Sequence, residues 1–241
     1  MENAGLKRFY KAVTTQLQDD GWRVLLDGRA IKTAGGNPQL VPTHALAEAM
    51  VAEWTAQGEQ IDPRGFAMRD LADYAIDVVS GEARSDLIDE LAAYAGTDTL
   101  CYRVSPDQSL HERQVAVWEP VLTEAERRHD VHFERITEIL HQPQPEATLA
   151  RMKSAVAALD PFPLAALRVL TSLTASLVIA LAALEPEADA QRRWEAANLE
   201  EDWQGEHWGR DAEAEALRQT RFEAFAMAIR FAALARDGES G

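Results

Sequence analysis

The chain has 241 residues and a formal net charge of −16, because 40 acidic residues outnumber 24 basic ones. A chain of this length can bury the core of one domain or of two. Its acidity argues against nucleic acid as a partner, since phosphates need a basic surface, and against anionic membrane surfaces. The single cysteine, Cys101, rules out an internal disulfide and fits a reducing compartment.

The N-terminal segment has the pattern of short strands. Apolar and polar residues alternate over 13–17 and 22–26, and turn-forming residues stand at 19–21, 27–28 and 35–38. We predict a small antiparallel meander, whose apolar face must pack on another element to be stable.

From Thr43 onward the apolar residues recur with the period of 3.6 that is typical of helices. Thr43 is the expected N-cap of the first helix, and Ser105 is the expected N-cap of a later one. An irregular connector is predicted at 97–103 and an extended stretch at 131–137. The predicted helices lie at about 43–57, 68–79, 84–94 and 105–122, and begin again near 145, 161, 188 and 212.

The change of period divides the chain into two predicted parts. Residues 1–60 are expected to form an N-terminal β-rich domain, and residues 61–241 a C-terminal α-helical domain. The expected fold class is α+β and mostly α, with a small N-terminal antiparallel β unit followed by a larger α-helical domain.

The apolar segment 164–184 is long enough to cross a bilayer. It contains Arg168, and its flanks are acidic at Asp160 and Glu185, with no Lys or Arg asymmetry that would orient a membrane span. We therefore predict a buried central helix and no membrane insertion. Residues 1–6 lack the charged-then-apolar order of a signal peptide, so we expect a cytoplasmic protein, for which the mitochondrial matrix is the eukaryotic equivalent.

A motif rich in tryptophan and acid spans 199–209, where two tryptophans and four acids stand among eleven residues. It is predicted to end a helix that continues from Trp194, with Gly209 just after the last turn. Both sides of this helix are apolar, so it is expected either to be buried on both sides or to offer one side to a partner.

On that continuous helix Glu201 would lie among tryptophans, because it shares a face with Trp194 and Trp208. A carboxylate in such a setting needs a basic partner or a raised pKa. The candidate internal partners are Arg168 and Arg193, and the functional alternative is an arginine or lysine of a client protein.

The same motif carries a family resemblance. Leu199-Glu200-Glu201, Trp203-Gln204 and Trp208-Gly209 resemble the C-terminal signature of the assembly chaperones for the catalytic sector of the F-type ATP synthase, in the branch that handles the alpha subunit (assembly factor two). One departure is Ala34, where the family usually has proline. Further blocks that follow the family's order lie at 7–11, 21–33, 46–57, 94–103 and 114–120.

The resemblance implies an ATP-independent molecular chaperone. It would bind the free alpha subunit of the F-type catalytic sector and keep it competent for assembly until the beta subunit replaces it. We expect a monomer with no cofactor, no bound metal and no enzymatic activity. An acidic residue of the motif is associated with chaperone activity in that family. The predicted partner-binding residues are Glu200, Glu201, Gln204, Trp203 and Trp208.

Two other classes of protein stay open. A helical metal-dependent enzyme would use a Glu/His site, for which His129, His132 and the pair of Glu200 and His207 are candidates. A di-iron type site needs Glu-x-x-His on two helices, however, and the residue three before His207 is Gln204. A plain adaptor protein would bind a folded partner without suppressing its aggregation.

Other conspicuous residues have structural interpretations. Cys101 is predicted to be a packed thiol, and Gly35-Gly36 is not a phosphate loop because no Gly-Lys-Ser/Thr follows. Trp54 and Trp118 are predicted to pack between helices. The pair Phe9-Tyr10 is either an exposed recognition element or the first inward-facing part of a strand.

Overall fold

The computed structural model describes residues 6–19, 21–137, 142–186 and 188–236. Asp20 of the first predicted turn lies outside these residues, and so do residues 1–5, on which the expectation about a signal peptide depends. The described residues form two compact units, one made of 6–84, 160–166 and 230–236 and the other of 85–159 and 167–229. The predicted domain boundary at residue 60 stays a prediction.

The N-terminal strands form the predicted antiparallel meander. Strand β1 (Val13–Gln18) pairs with β2 (Gly21–Leu26), and β3 (Arg29–Ala30) pairs with the other edge of β2. Asp27 and Gly28 turn the chain between β2 and β3 with φ values of 47° and 77°. The Asp27 carboxylate also accepts hydrogen bonds from the backbone N–H groups of residues 11 and 12, at 3.0 and 2.8 Å, which ties the start of β1 to this turn.

Helix α1 (His44–Thr55) packs against the meander. Thr43 caps it as predicted, because the Thr43 hydroxyl accepts a hydrogen bond from the N–H of Leu46 at 3.1 Å. The same hydroxyl donates to the carbonyl of Leu234 at 2.6 Å. The largest buried apolar side chains of α1 and β2 are Val24, Leu26, Leu46, Met50 and Trp54.

Trp54 lies in an aromatic cluster near the end of α1. Its ring is centred 5.4 Å from the ring of Tyr10 and 4.5 Å from that of Phe66, and the Tyr10 hydroxyl donates to the Trp54 carbonyl at 2.6 Å. The predicted packing role of Trp54 is therefore confirmed. Phe9, in contrast, is 64% exposed. Each of the two interpretations therefore describes one residue of the pair, since Tyr10 lies in the core and Phe9 on the surface.

The loop at 33–37 is held by Asp77, an aspartate of the second helical segment of the chain. Helix α2 (Ala67–Tyr74) continues into a π-helical turn, Ala75–Val79, which carries Asp77. The Asp77 carboxylate accepts hydrogen bonds from the Thr33 hydroxyl at 2.6 Å and from the N–H of Gly35 at 2.7 Å. A Cβ atom on Gly35 would lie only 2.7 Å from this carboxylate, which explains the glycine.

Ala34, the departure from the resembled family, uses its backbone in the same loop. Its N–H donates a hydrogen bond to the Asp73 carboxylate at 3.0 Å. Proline has no N–H and could not make this bond. Alanine therefore gives this chain an anchor that the usual proline would not supply.

Helices α3 (Arg84–Ala93), α4 (Ser109–His129) and α5 (Glu146–Ala157) follow. The predicted N-cap at Ser105 is wrong, because the Ser105 hydroxyl bonds to the Asp107 carboxylate and residues 105–108 form a turn. Helix α4 begins after that turn, with Gln108 at its N-cap position and no side-chain cap bond. The predicted extended stretch before α5 is confirmed by an isolated parallel bridge between Tyr102 and Ile136.

The long apolar segment forms two helices, α6 (Pro161–Thr174) and α7 (Leu177–Ala183). The expectation of one continuous helix is wrong, because Ala175 has a φ of 49° and Ser176 is extended and caps α7. The predicted burial is confirmed at most of its apolar positions, and Leu164, Leu170 and Ile179 are fully buried. Within the described ranges, no helix has the length and apolarity needed to cross a membrane.

Asp98 joins α7 to the segment after α3. It is fully buried, and its carboxylate accepts hydrogen bonds from the Ser176 hydroxyl at 2.7 Å, the N–H of Val178 at 2.9 Å and the N–H of Leu100 at 3.1 Å. Burial raises the pKa of Asp98 from 3.8 to about 6, although these hydrogen bonds by themselves lower it. The two chain segments are thus held together by a buried acid whose charge depends on pH.

We expect the Asp98 carboxyl to make the free energy of unfolding depend on pH. Because the pKa of Asp98 is raised to about 6 in the folded state, folding favours the protonated carboxyl. Its contribution to the free energy of unfolding is therefore fully present below about pH 4 and is lost as the pH rises through 6. The difference in unfolding free energy between wild type and Asp98→Asn should therefore fall by on the order of 3 kcal/mol between pH 4 and 7. Urea titrations over this range measure it, and parallel pH curves for the two proteins would contradict the assignment.

The described chain ends with helices α8 (Ala190–Ala197), α9 (Leu199–Trp208) and α10 (Ala212–Arg236). Two helices were predicted here, and the difference is a break at Asn198. The whole arrangement, a three-stranded antiparallel sheet followed by helices, confirms the predicted α+β and mostly α fold class.

Candidate functional site

The motif rich in tryptophan and acid forms a short helix of its own, α9. Asn198 leaves the helical conformation with φ −105° and ψ 18°, which separates α9 from α8. The Asn198 side-chain amide donates to the carbonyl of Trp194 at 2.9 Å and closes the end of α8. Gly209 ends α9 with a φ of 82°, as predicted. The first turn of α9, where the helix dipole favours negative charge, holds Glu200, Glu201 and Asp202.

The break at Asn198 overturns the predicted face of tryptophans. Trp194 is fully buried whereas Trp208 is 79% exposed. The predicted face was drawn through residue 198 on the assumption of one continuous helix, and that assumption is wrong. Glu201 is exposed rather than held among tryptophans. Its carboxylate makes no hydrogen bond or ion pair with any residue of the described ranges, so internal pairing with Arg168 or Arg193 is wrong.

Glu200 differs from its neighbour, because it holds α9 to α4. It is half-buried, and its carboxylate accepts a hydrogen bond of 2.7 Å from the side-chain amide of Gln114. Gln114 is fully buried and in turn accepts a hydrogen bond from the N–H of Val104 at 2.9 Å. The two adjacent glutamates therefore have different settings, one bonded within the fold and the other open to solvent.

The second half of α9 is also held to α4 by charge. Arg113 donates two hydrogen bonds to the carboxylate of Glu206, at 2.6 and 2.9 Å. The hydrogen bonds from Arg113 keep the pKa of Glu206 below its usual value. The Arg113 guanidinium also lies 5.6 Å from the ring centre of Trp203 and so positions a second motif residue.

Asp202 anchors the opposite side of α9. It accepts hydrogen bonds from Arg218 of α10, at 2.6 and 2.8 Å, and from Arg210 at 2.5 Å. The Asp202 and Arg218 side chains are only 14% and 15% exposed, so this pair is better shielded than a surface ion pair. Sequence reasoning missed the partners Arg113, Gln114 and Arg218, because spacing along the chain does not show which helices meet.

The outer surface of α9 carries the remaining predicted residues. Trp208, Glu201 and Gln204 are exposed, and Trp203 is half-buried with its ring 4.4 Å from that of His207. The structure thus brings a large exposed aromatic ring, a carboxylate with no bonded partner among the described residues and an amide onto one short helix. This combination suits binding of a protein partner, since tryptophan dominates many interfaces and a charge sets their register.

An open cleft of about 630 Å³ lies beside α9 and is lined by parts of α4, α8 and α10 as well. The arginines Arg113, Arg210 and Arg218 on its wall are paired with acids of α9, as described above. These three pairs fix α9 to its neighbours, and Arg192, the fourth arginine of the wall, makes no ion pair with the described residues.

Comparison with known proteins identifies the family. Residues 7–126 match the family model described as ATP12 chaperone protein. The chain is 35% identical to Atp12 from Paracoccus denitrificans, whose crystal structure it matches with a TM-score of 0.90 over 96% of this chain and 99% of that one. The chain belongs to the ATP12 chaperone family. This confirms the resemblance to ATP synthase assembly chaperones that the sequence motifs indicated.

Two further relatives extend the ATP12-family comparison. A crystal structure of a protein from Agrobacterium tumefaciens is 33% identical, with a TM-score of 0.89 over 95% of this chain and 86% of that one. The mitochondrial protein atp12 of Schizosaccharomyces pombe is 25% identical over 215 residues, which cover 84% of this chain and 74% of the relative. The similarity thus reaches beyond residues 7–126 to most of the chain.

The candidate metal ligands of this ATP12-family chain have other partners. His132 lies 3.2 Å from a Glu126 oxygen, Glu200 accepts a hydrogen bond from Gln114, and the His207 ring is bonded to the carbonyl of Trp203. Among the residues that the structure describes, no three His, Cys, Asp or Glu side chains form a group that could hold a metal ion.

Cys101 is a packed thiol, as predicted. Its side chain is fully buried, and burial together with the nearby charge of Asp98 raises the pKa of the thiol to about 12. A thiol with this pKa stays protonated at neutral pH and is a poor nucleophile.

Proposed function

We propose that this ATP12-family protein is an ATP-independent chaperone that binds the free alpha subunit of the F-type ATP synthase catalytic sector. It keeps that subunit competent for assembly until the beta subunit replaces it. Membership of the ATP12 chaperone family supports the general role. The choice of the alpha subunit follows from the resemblance of the C-terminal motif and the N-terminal blocks.

The observation that carries the proposal is the exposed surface of α9. Trp208 is 79% exposed on a helix whose other exposed predicted contacts, Glu201 and Gln204, are polar, and Leu217 on α10 is 62% exposed. Apolar side chains bordered by charge are what a holding protein needs, because they mask an apolar client surface and still allow release. The proposed partner-binding residues are Glu200, Glu201, Gln204, Trp203 and Trp208.

Masking an exposed subunit interface, followed by release through competition, requires no ATP hydrolysis. An unassembled ring subunit exposes the interface that it will later bury, and such surfaces aggregate. A monomeric chaperone that covers part of this interface is displaced when the beta subunit competes for the same surface. We place this exchange in the bacterial cytoplasm or the mitochondrial matrix, in keeping with the bacterial and mitochondrial relatives.

The chaperone is expected to bind the isolated alpha subunit and not the assembled catalytic sector, because the surface it covers is buried after assembly. Biolayer interferometry with each form immobilised measures this directly. Added beta subunit should release the bound chaperone in proportion to its concentration. Equal binding to the free subunit and to the assembled sector would contradict displacement by competition.

Aggregation assays separate a chaperone from a plain adaptor. Light scattering by alpha subunit diluted from denaturant should fall when equimolar chaperone is present, because its apolar interface is covered. An adaptor that recognises only the folded subunit would bind without lowering the scattering.

A separate prediction concerns catalysis. Purified protein is expected to carry no stoichiometric metal and to hydrolyse no ATP, because the sequence contains neither suitable ligand spacing nor a phosphate loop. Elemental analysis and a phosphate-release assay measure these quantities. About one bound metal per chain that disappears on changing His207 or Glu200 would favour the metal-dependent enzyme instead.

A further inference from the structure

A small pocket in the second compact unit carries two arginines that make no ion pair with any residue that the structure describes. We call it the arginine pocket, and it is defined by the floor residues Ala125, Met152, Val178 and Leu181 and the rim residues Arg192 and Arg193. The floor is apolar, and its four side chains are between 0% and 8% exposed. The volume of the pocket is about 190 Å³.

The rim of the arginine pocket has an excess of positive charge. Its two glutamates, Glu124 and Glu185, are both engaged by Arg128. The guanidinium groups of Arg192 and Arg193 make no ion pair and no hydrogen bond with a residue in 6–19, 21–137, 142–186 or 188–236. Two positive charges are therefore left without a directly bonded counter-charge beside an apolar floor.

Arg193 is the more constrained of the two. It is half-buried, and burial followed by the charge of Arg192 lowers the pKa of its guanidinium. Removing an unpaired charge from water is unfavourable, and a carboxylate that binds in two-pronged geometry would offset this cost. His129, also half-buried at this pocket, adds no fixed charge, because burial and the charge of Arg128 lower the pKa of its ring.

The size of the pocket restricts what can enter it. Sites for small-molecule ligands usually have volumes of about 300–1,000 Å³. A volume of about 190 Å³ is smaller than that and accommodates one or two side chains. The apolar floor fits an aliphatic side chain, and the unpaired arginines at the rim fit a carboxylate next to it.

We infer that the arginine pocket receives an acidic side chain and its apolar neighbour from the client protein. This inference rests on the proposed chaperone function and adds a second contact site to the surface of α9. The chain has a net charge of −16, so an acidic client segment is repelled by most of its surface. Unpaired arginines at one place would therefore fix the orientation in which the client docks.

The first test removes the two free charges. The double variant Arg192→Gln/Arg193→Gln should bind isolated alpha subunit roughly tenfold to a hundredfold more weakly, as expected for lost hydrogen bonds to a charged group. The matched control is Arg64→Gln/Arg151→Gln, which removes the same charge at exposed positions that neither line the pocket nor bond to its glutamates, and it should bind within about fivefold of wild type. Equal affinity of the two double variants would overturn the inference.

A second variant blocks the pocket without changing charge. Ala182 is half-buried and lines the pocket, so Ala182→Phe should fill it and weaken alpha-subunit binding to a similar extent. Thermal melts of all variants show whether each one folds. If Ala182→Phe melts like wild type and binds like wild type, the client does not enter the pocket.

A third measurement does not depend on the client. N-acetyl-leucyl-glutamate amide, titrated into the full-length protein, should shift the NMR signals of the Met152 methyl and the Arg193 side-chain N–H saturably at millimolar concentration. N-acetyl-leucyl-glutamine amide, which has no carboxylate, should not. If wild type fails to bind alpha subunit but shows these shifts, the proposed function fails and the chemistry of the pocket stands. If alpha subunit binds and neither the shifts nor the effect of the double variant is observed, the pocket inference fails alone.

Discussion

Glu201→Lys is expected to weaken binding of the alpha subunit at least thirtyfold while leaving the melting temperature nearly unchanged. The Glu201 side chain is exposed and has no partner within the described chain, so its reversal breaks no contact of the fold. If it pairs with a basic residue of the client, the loss is about 2–5 kcal/mol, or roughly thirtyfold to several-thousandfold in affinity. A thermal melt and a binding titration on the same preparation measure both effects.

Two further substitutions make this test specific. Glu213→Lys is the matched control, because Glu213 is an exposed acid in the first turn of α10 and its reversal has the same cost against a helix dipole. Glu200→Lys should lower melting temperature and binding together, since it breaks the 2.7 Å hydrogen bond from Gln114 that holds α9. If Glu201→Lys and Glu213→Lys bind the client equally well, Glu201 is not a contact residue.

Trp118→Ala is expected to destabilise the fold more than any of the other single substitutions. The side chain is fully buried in α4, and its indole N–H donates to the carbonyl of Ala196 in α8 at 2.7 Å. Truncation leaves a large cavity and costs about 3–5 kcal/mol. For a chain of this size the melting temperature should fall by roughly 6–20 °C, as measured by calorimetry.

Comparison of two phenylalanine variants isolates the hydrogen bond from the packing. Trp118→Phe keeps a ring in the core but removes the donor to Ala196, at a cost of about 1–3 kcal/mol beyond the lost ring area. Trp194 is equally buried, yet its indole N–H has no hydrogen-bond partner in the described part of the chain. Trp194→Phe should therefore destabilise less than Trp118→Phe, and the reverse order would mean that the bond to Ala196 contributes little.

Local patterns identified most of the elements. Alternation predicted the meander, and Thr43 marked the start of α1, because strand pairing at tight turns and helix capping depend on residues close in sequence. The predictions failed where a side chain makes a hydrogen bond other than the one that its position in the pattern suggested. Ser105 bonds to Asp107 rather than capping α4, and the helix expected from residue 188 breaks at Asn198.

The candidate site was only partly predictable. The composition of the motif identified α9, but the difference between Glu200 and Glu201 depends on Gln114, which lies 86 residues away from Glu200 along the chain. Helical phase, drawn along one continuous helix, placed Glu201 among tryptophans, whereas in the structure Glu201 is exposed and Glu200 is the glutamate bonded within the fold. Nor could composition show that Arg192 and Arg193 lack bonded counter-charges, since the glutamates near them are engaged by Arg128.

The sequence by itself determined the family, the fold class and the position of the acidic tryptophan motif, because these depend on residue types in a characteristic order along the chain and on local periodicity. The tertiary structure alone decided which acids are bonded and which are exposed, how Asp98 becomes a buried acid with a raised pKa, and where Arg192 and Arg193 lie without an ion pair to the described residues. The physical reason is that burial and charge pairing depend on distances between helices. Those distances come from packing of the whole chain, and no short stretch of sequence encodes them.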